Sequence, residues 1–321
     1  MTSKEIPETV YDIAVLGGGP AGFTAGLYAA RANLKTLLIE GASTVSQITT
    51  TDAIENYPGI PEAIDGYELM GRFRKQAVQF GLVTRSADVT ALRQTAWGEI
   101  PGWKILSSGG DEEALAVIVA TGASWRTLDV PGEAAFTGRG VSYCATCDAP
   151  FYRNREVVVV GGGDTAIQEA LFLTRFAQKV TVIHRRDRLR ATGILQKRAF
   201  ENPRISIIWK SVVEEIKGEN GVESIVIRDV ETGSVREIPA HGLFVFIGLI
   251  PNANLVSDLA NRTEGGAIVV DRQMRTSAPG LFACGDCTDK LLRQVVTASG
   301  DGATAAYAAQ LYVEELKGEA Y

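Results

Sequence analysis

The chain has 321 residues, more than one average domain holds, so two domains are expected. Apolar residues make up 45% and charged residues 22%, as in a globular chain with a large core, and a formal charge of −6 argues against a nucleic-acid partner. No apolar stretch reaches the roughly 20 residues of a membrane span, and Met1 to Val10 carries Lys4, Glu5 and Glu8 where a secretory signal needs an apolar core, so a cytoplasmic location without membrane contact is expected.

In chain order, Tyr11 to Leu16 is a short apolar run ending in Gly17-Gly18-Gly19-Pro20-Ala21-Gly22. An alanine-rich helical segment, Phe23 to Asn33, follows, and Thr36 to Ile39 is apolar again and ends at Glu40. This is a strand, glycine turn, helix, strand unit. Asp88 to Leu92 and Ala116 to Ala120 read as further strands of the same sheet system. The grammar then repeats: Val157 to Val160, the turn Gly161-Gly162-Gly163-Asp164-Thr165-Ala166, a helix to about Phe176, and Val180 to Ile183. Ile225 to Ile227 and Phe244 to Ile247 read as strands closing the second unit. Ile268 to Val270, Gly280 to Ala283 and a last helix from about Ala298 to Leu316 return to the first. The fold class is therefore α/β: two Rossmann-like, three-layer nucleotide-binding domains, one inserted in the other. The first spans 1–116 and 249–321, and the second spans 117–248.

In the first turn Gly17 makes the bend, Gly19 lets backbone approach a pyrophosphate, and Gly22 lets helix and strand pack closely. The helix N-terminus supplies N–H groups and partial positive charge for the phosphates, and Glu40 can accept hydrogen bonds from ribose hydroxyls. The second turn has Gly161, Gly163 and Ala166 in the same places. Its second strand ends not in an acid but in His184-Arg185-Arg186, with Arg190 beyond. Guanidinium groups there suit an adenosine 2′-phosphate, which points to NADP over NAD.

Two cysteine pairs remain. Cys144-Ala145-Thr146-Cys147-Asp148 lies just before the second nucleotide unit. That spacing brings two sulfurs within disulfide reach in a single turn, helix N-terminal placement raises the thiolate fraction, and Asp148 can move a proton. Zinc is the competing reading, but it needs four ligands, and the chain has only 2 histidines. No metal site is expected. Asp286, directly after the run Gly280 to Ala283, is placed to meet a flavin's ribityl chain, and Cys284 and Cys287 around it read as small residues filling a tight space.

Taken together the motifs resemble bacterial thioredoxin reductase over essentially the whole chain. They include Gly17 to Gly22, Tyr28 to Asn33, Glu55-Asn56-Tyr57-Pro58-Gly59 and Ala120-Thr121-Gly122-Ala123. Gly138 to Ser142, Cys144 to Asp148, His184 to Arg190 and Cys284-Gly285-Asp286 continue the match in order. The resemblance implies a homodimer that passes electrons from NADPH through FAD and a Cys144–Cys147 disulfide to thioredoxin. It implies FAD contacts at Gly17, Gly19, Pro20, Ala21, Gly22, Glu40, Gln47, Asn56, Val89, Thr121, Gly122, Asp286, Arg293, Gln294 and Val295. It implies NADPH contacts at Gly161, Gly163, Asp164, Thr165, Ala166, His184, Arg185, Arg186, Arg190 and Ile247. By the same analogy Cys147 faces the flavin, Cys144 attacks the thioredoxin disulfide and Asp148 handles the proton. One domain rotates on the other about hinges near 115–118 and 247–251. The chain departs from the family pattern at Val45-Ser46-Gln47, where Gly-Gly-Gln is usual, at Ala149 in place of glycine, and at Pro150 in place of an aromatic residue. Two other readings are a flavoprotein of this fold with a ferredoxin or second-flavin donor, against which the arginine cluster stands, and a non-enzymatic flavin/thiol redox sensor.

Overall fold

The structure, a computed structural model, describes residues 6–44, 46–50, 54 and 56–319, except the side chains of Thr50, Thr146 and Cys147. Val45 and Glu55, each part of a motif above, lie outside the described residues.

The chain opens with β1 (Tyr11–Leu16), α1 (Pro20–Arg31) and β2 (Thr36–Glu40). α2 (Gly66–Gln79), β3 (Val83–Ser86), β4 (Val89–Trp97), β5 (Ile100–Ser107) and β6 (Glu112–Val119) follow, and β7 (Ala123–Trp125) leaves the first unit. The second unit contains α3 (Glu133–Phe136), β8 (Val141–Ser142), α4 (Ala145–Asp148), β9 (Glu156–Gly161), α5 (Asp164–Leu173), β10 (Lys179–Ile183) and α6 (Gly193–Phe200). It continues through β11 (Ile205–Ile208), β12 (Ser211–Lys217), β13 (Ser224–Asp229), β14 (Val235–Pro239) and β15 (Gly242–Phe246). The chain returns through β16 (Leu249–Pro251), which pairs with β7, and ends with β17 (Leu281–Ala283) and α7 (Val295–Lys317).

In the first unit β3, β2, β1, β6 and β17 run parallel. The far edge of β6 is shared: its first half pairs antiparallel with β5 and its second half takes β17. Side-chain alternation builds three layers from this sheet. Ile13, Val15, Leu38 and Ile118 point into a core with α1, α2 and α7. Ala14, Leu16, Leu37, Ile39, Val117 and Val119 point into a second core with Leu92, Trp103 and Ile105 of the β4–β5 hairpin. A strand buried on both faces reads as a continuous apolar run, which is why β6 was conspicuous in the sequence. Small residues let the helix layer close up: a Cβ on Gly302 of α7 would stand 2.2 Å from the Ala21 carbonyl oxygen of α1.

The second unit repeats the plan. β11, β10, β9, β15 and β8 form a parallel sheet. Val157, Val159, Val180 and Phe244 face α5 and α6, while Val158, Val160, Ile183 and Leu243 face the antiparallel sheet of β12, β13 and β14.

Three expectations change. The units divide as 1–124 with 250–321 and 125–249, so the first boundary lies beyond the expected residue 116. Residues 115–118 are not a hinge, because all four are buried in the middle of β6, paired with β1. Ile268–Val270 forms only isolated bridges, with Ile268 buried and Val269 exposed.

Candidate redox and dinucleotide sites

In the first unit the turn after β1 leaves no room for a side chain at two of its glycines. Gly17 has φ +122°, a Cβ there would lie 2.2 Å from the Ala120 carbonyl oxygen, and one on Gly22 would lie 1.8 Å from the Gly17 carbonyl oxygen. Gly19 is the N-cap of α1, Pro20 follows, and no side chain caps the helix, so its first N–H groups face outward as an anion cradle. Ala21 and Gly22 are buried beneath it. Glu40 ends β2 against the same turn, with its Oε1 2.7 Å from Nη1 of Arg74.

Several of the other residues expected to meet this cofactor pair with partners distant in sequence. Gln47 donates through Nε2 to the Ala123 carbonyl. Asn56 Nδ2 donates to Gln294 Oε1 at 2.9 Å, and Gln294 in turn caps α7 just before Val295. Thr121 Oγ1 donates to the Asn252 carbonyl at 2.5 Å, and Asn252 Nδ2 returns a bond to the Thr121 carbonyl at 3.0 Å, which fixes the bend where Gly122 has φ +69°. Val89 begins β4 opposite Ser107 and packs on the second core.

Asp286 is the clearest ligand signal. Its Oδ1 is buried and has no hydrogen-bond partner among the described residues, and burial pushes the carboxyl above its ordinary range against the pull of Lys290 and Arg293. A buried acceptor without a donor is costly unless a ligand supplies one. Together with the glycine cradle, that orphan fits FAD, whose ribityl hydroxyls are donors. Arg293 frames the same loop, with Nε 3.5 Å from the Asp286 carbonyl and Nη2 3.4 Å from that of Thr288. Cys284 and Cys287 flank it as fully buried free thiols, and burial pushes both thiols up. Cys284 packs into the helix-side core and Cys287 into the opposite one, as space-filling residues do.

In the second unit Gly161 has φ +152°, and a Cβ there would meet the Phe246 carbonyl oxygen at 2.5 Å and the Ala166 Cβ at 2.6 Å. Gly163 caps α5 without a side-chain bond, and Thr165 is exposed in the first turn. Asp164 Oδ1 accepts the Thr192 N–H at 2.6 Å, and the Gly162 carbonyl accepts the Arg190 and Ala191 N–H groups at 2.7 and 3.1 Å. The basic segment is thus stapled to the glycine turn. Arg185, Arg186 and Arg190 are exposed and have no ion-pair partner among the described residues. This leaves their charge for a phosphate. Ile247 follows β15 and packs on the core beneath.

His184 differs from expectation. Its ring is 5% exposed, with Nδ1 3.0 Å from the Gly161 carbonyl oxygen and Nε2 2.9 Å from that of Arg188. Burial, joined by Arg190 and Arg186, holds its pKa below the usual histidine value despite those two acceptors. The imidazole braces the loop and is not turned outward as a nucleotide contact.

The cysteine motif begins between β8 and α4 and runs through α4. Cys144 is disulfide-bonded. Its N–H donates to Ser142 Oγ at 3.1 Å, and its carbonyl accepts the Asp148 N–H at 3.3 Å. Cys147 lies in α4 with its side chain outside the described atoms. Asp148 ends α4 and, after burial itself, is the next influence pushing the Tyr152 phenol up to about 12. Among the described residues no group of three or more His, Cys, Asp or Glu side chains could hold a metal.

Sequence reasoning missed Arg74, Glu133, Asn252 and the pair Lys290–Asp301, at 2.5 Å. Each acts through a side-chain contact made by the fold, from as near as four residues (Glu133 with Asp129) to as far as 131 (Asn252 with Thr121), and none belongs to a recognisable spacing.

The model of the pyridine nucleotide-disulphide oxidoreductase family matches residues 11–302. The chain is 48% identical over 319 residues to a thioredoxin reductase of Peptoclostridium litorale, covering 97% of this chain and 100% of that one. It is 45% identical over 314 residues to a thioredoxin reductase of Bacillus subtilis, covering 97% of this chain and 97% of that one. The crystal structure of Lactococcus lactis thioredoxin reductase superposes with a TM-score of 0.79 at 45% identity, covering 95% of this chain and 99% of that one.

Proposed function

The chain belongs to the pyridine nucleotide-disulphide oxidoreductases and, among them, to the thioredoxin reductases, and on that premise we propose that Cys144 and Cys147 carry electrons from NADPH and FAD to the disulfide of a thioredoxin. The activity is that of a thioredoxin-disulfide reductase, with FAD and NADPH as its cofactors. We assign FAD to the first unit and NADPH with the cysteine pair to the second. The carrying observation is that Cys144, at the entrance to α4, is disulfide-bonded, whereas Cys284 and Cys287 are free and fully buried.

Bound FAD would supply the two-electron chemistry that links hydride transfer from NADPH to reduction of the disulfide. The chain supplies the rest. The glycine turns and the N-termini of α1 and α5 would hold the pyrophosphates, Asp286 would hold the flavin side, and Arg185, Arg186 and Arg190 would select the 2′-phosphate. Two electrons and two protons, one of them passed through Asp148, convert the disulfide to two thiols. Cys144 returns its proton to the Asp148 carboxylate on ionising, and that proton then goes to the partner's leaving thiolate. The Cys144 thiolate then attacks the partner's disulfide, and Cys147 attacks the resulting mixed disulfide. This releases the partner as a dithiol and restores the Cys144–Cys147 bond. The family further supports a homodimer and a cytoplasmic location; among the described residues no helix is long and apolar enough to cross a membrane. The test is NADPH oxidation coupled to reduction of a thioredoxin disulfide. Turnover with NADPH is expected. Flavin reduced only by a ferredoxin or a second flavoprotein would replace this reading with the donor-switched one.

A further inference from the structure

We propose that Arg74 is a positioning residue for the cofactor of the first unit, holding Glu40 so that one carboxylate oxygen is presented to the ribose hydroxyls of the bound adenosine. The inference rests on the reading that the Gly17–Gly22 turn takes FAD.

Glu40 is the last residue of β2, and its neighbour Ile39 accepts the Gly17 N–H at 2.9 Å, so the carboxylate begins its reach beside the phosphate cradle. A Cβ on Gly18 would stand 2.7 Å from Glu40 Cγ and 2.9 Å from Oε2. The bare glycine is what lets the carboxylate lie against the turn. The two oxygens then have different surroundings. Oε1 faces Arg74 Nη1 at 2.7 Å. Oε2 is on the turn side, and no hydrogen bond from a described residue reaches it.

Arg74 is itself tied down at a second point. Its Nη2 donates to Thr84 Oγ1 at 3.1 Å, and Thr84, on β3, is the register partner of Leu38 on β2. One planar guanidinium thus bridges two neighbouring strands, and its fork fixes where Oε1 must be. A glutamate at a strand end would otherwise distribute over several rotamers, and ordering it would be charged against cofactor binding. With the rotamer already chosen, Oε2 is in place when the ribose arrives. The ion pair is partly solvated, with side-chain exposures of 50% for Arg74 and 24% for Glu40. Pairs of that kind add little to fold stability, so its effect should appear in ligand selection and not in unfolding.

The experiment strips the full-length protein of flavin and measures rebinding by flavin fluorescence. Two ligands are compared: FAD, and an FAD analogue whose adenosine ribose lacks both hydroxyls. Arg74→Met, which keeps the stem and loses the fork, is expected to bind FAD roughly three- to fivefold more weakly. It is expected to bind the analogue as tightly as the unaltered protein does, and to unfold at the same denaturant midpoint. Arg74→Lys, which retains the charge, should recover part of the loss. Arg74→Met combined with Glu40→Gln should be no worse than Glu40→Gln alone. An equal loss for FAD and the analogue, or additive losses in the double variant, overturns the proposal. If the unaltered protein does not distinguish the two ligands, the ribose reading of Glu40 fails first. If it distinguishes them and Arg74→Met does so equally well, only the role of Arg74 fails.

Discussion

The Tyr143 phenol donates to the Glu133 carboxylate at 2.8 Å, one residue ahead of Cys144. Glu133 is only 4% exposed, and its oxygens also accept the Leu128 and Asp129 N–H groups at 2.9 and 2.8 Å. A buried carboxylate held by three donors and, among the described residues, no cation ties the approach to the cysteine motif to the segment 128–130. Burial, and then the glutamate, pushes the Tyr143 phenol well above the ordinary tyrosine value.

Tyr143→Phe removes one donor to a buried anion, which costs about 1.5–3 kcal/mol. The folded-state phenol is raised, so its contribution is fully present below the unfolded tyrosine pKa near 10 and declines as pH rises above it. Urea unfolding at neutral pH should therefore show the full deficit for Tyr143→Phe. Above pH ~10.5 the gap from the unaltered protein should narrow. A deficit that stays constant with pH would mean the phenol titrates normally.

Glu169 on α5 makes the opposite case. Its Oε2 is buried without a partner among the described residues, and burial alone pushes the carboxyl up to about 7. At pH 8 the folded state bears the cost of an ionised, desolvated carboxylate, on the order of 3 kcal/mol. Below the unfolded pKa of about 4.5 that cost vanishes, because both states are then protonated. Glu169→Gln should thus gain stability relative to the parent between pH 5 and pH 8, read from denaturant midpoints at both. An equal difference at the two pH values would place the carboxyl in ordinary solvent.

The chemistry-bearing turns were legible because each is a local spacing with one physical purpose. Glycines at 17 and 22, and at 161, stand where a Cβ would strike backbone. The limits were equally physical. The boundary was set too early because the apolar run of β6 passes without polar punctuation into Ala120, and the chain turns away only after Gly122. β14 was missed because its side chains are mostly exposed and carry no alternation. His184 was expected as an NADPH contact beside three arginines, yet its ring packs over Gly162, where a Cβ would come within 2.3 Å. No spacing in the sequence reports which way one imidazole turns.

Arg185 and Arg186 are exposed and unpaired among the described residues, so replacing both with Ala should spare the fold and remove only ligand contacts. Charge-assisted hydrogen bonds are worth roughly 1.5–3 kcal/mol each, about ten- to a hundredfold. Binding titrations should show that loss for NADPH and almost none for NADH. Equal losses would indicate damage to the glycine turn at Gly161 in place of a lost phosphate contact.

Cys284 and Cys287 should be dispensable for electron flow. Both thiols are fully buried and pushed toward the unreactive protonated form. The double change Cys284→Ala, Cys287→Val should leave turnover with thioredoxin unchanged, and an anaerobic dithionite titration should consume the same number of electrons. A deficit of two electrons would reveal a second redox pair.

The last prediction separates the roles of Cys144 and Cys147. Attack on an external disulfide needs an accessible thiolate, and a thiol at a helix entrance is the better candidate than one within the helix. Cys144 precedes α4 and Cys147 lies inside it. Cys147→Ser should leave Cys144 able to trap a thioredoxin lacking its resolving cysteine as a stable mixed disulfide, visible on a non-reducing gel and released by dithiothreitol. Cys144→Ser should trap little or none. Both variants should still oxidise one equivalent of NADPH under anaerobic conditions, because that half-reaction uses no sulfur, and both should lose thioredoxin turnover. Trapping through Cys147 alone would reverse the assignment, and normal turnover in either serine variant would remove the pair from the mechanism altogether.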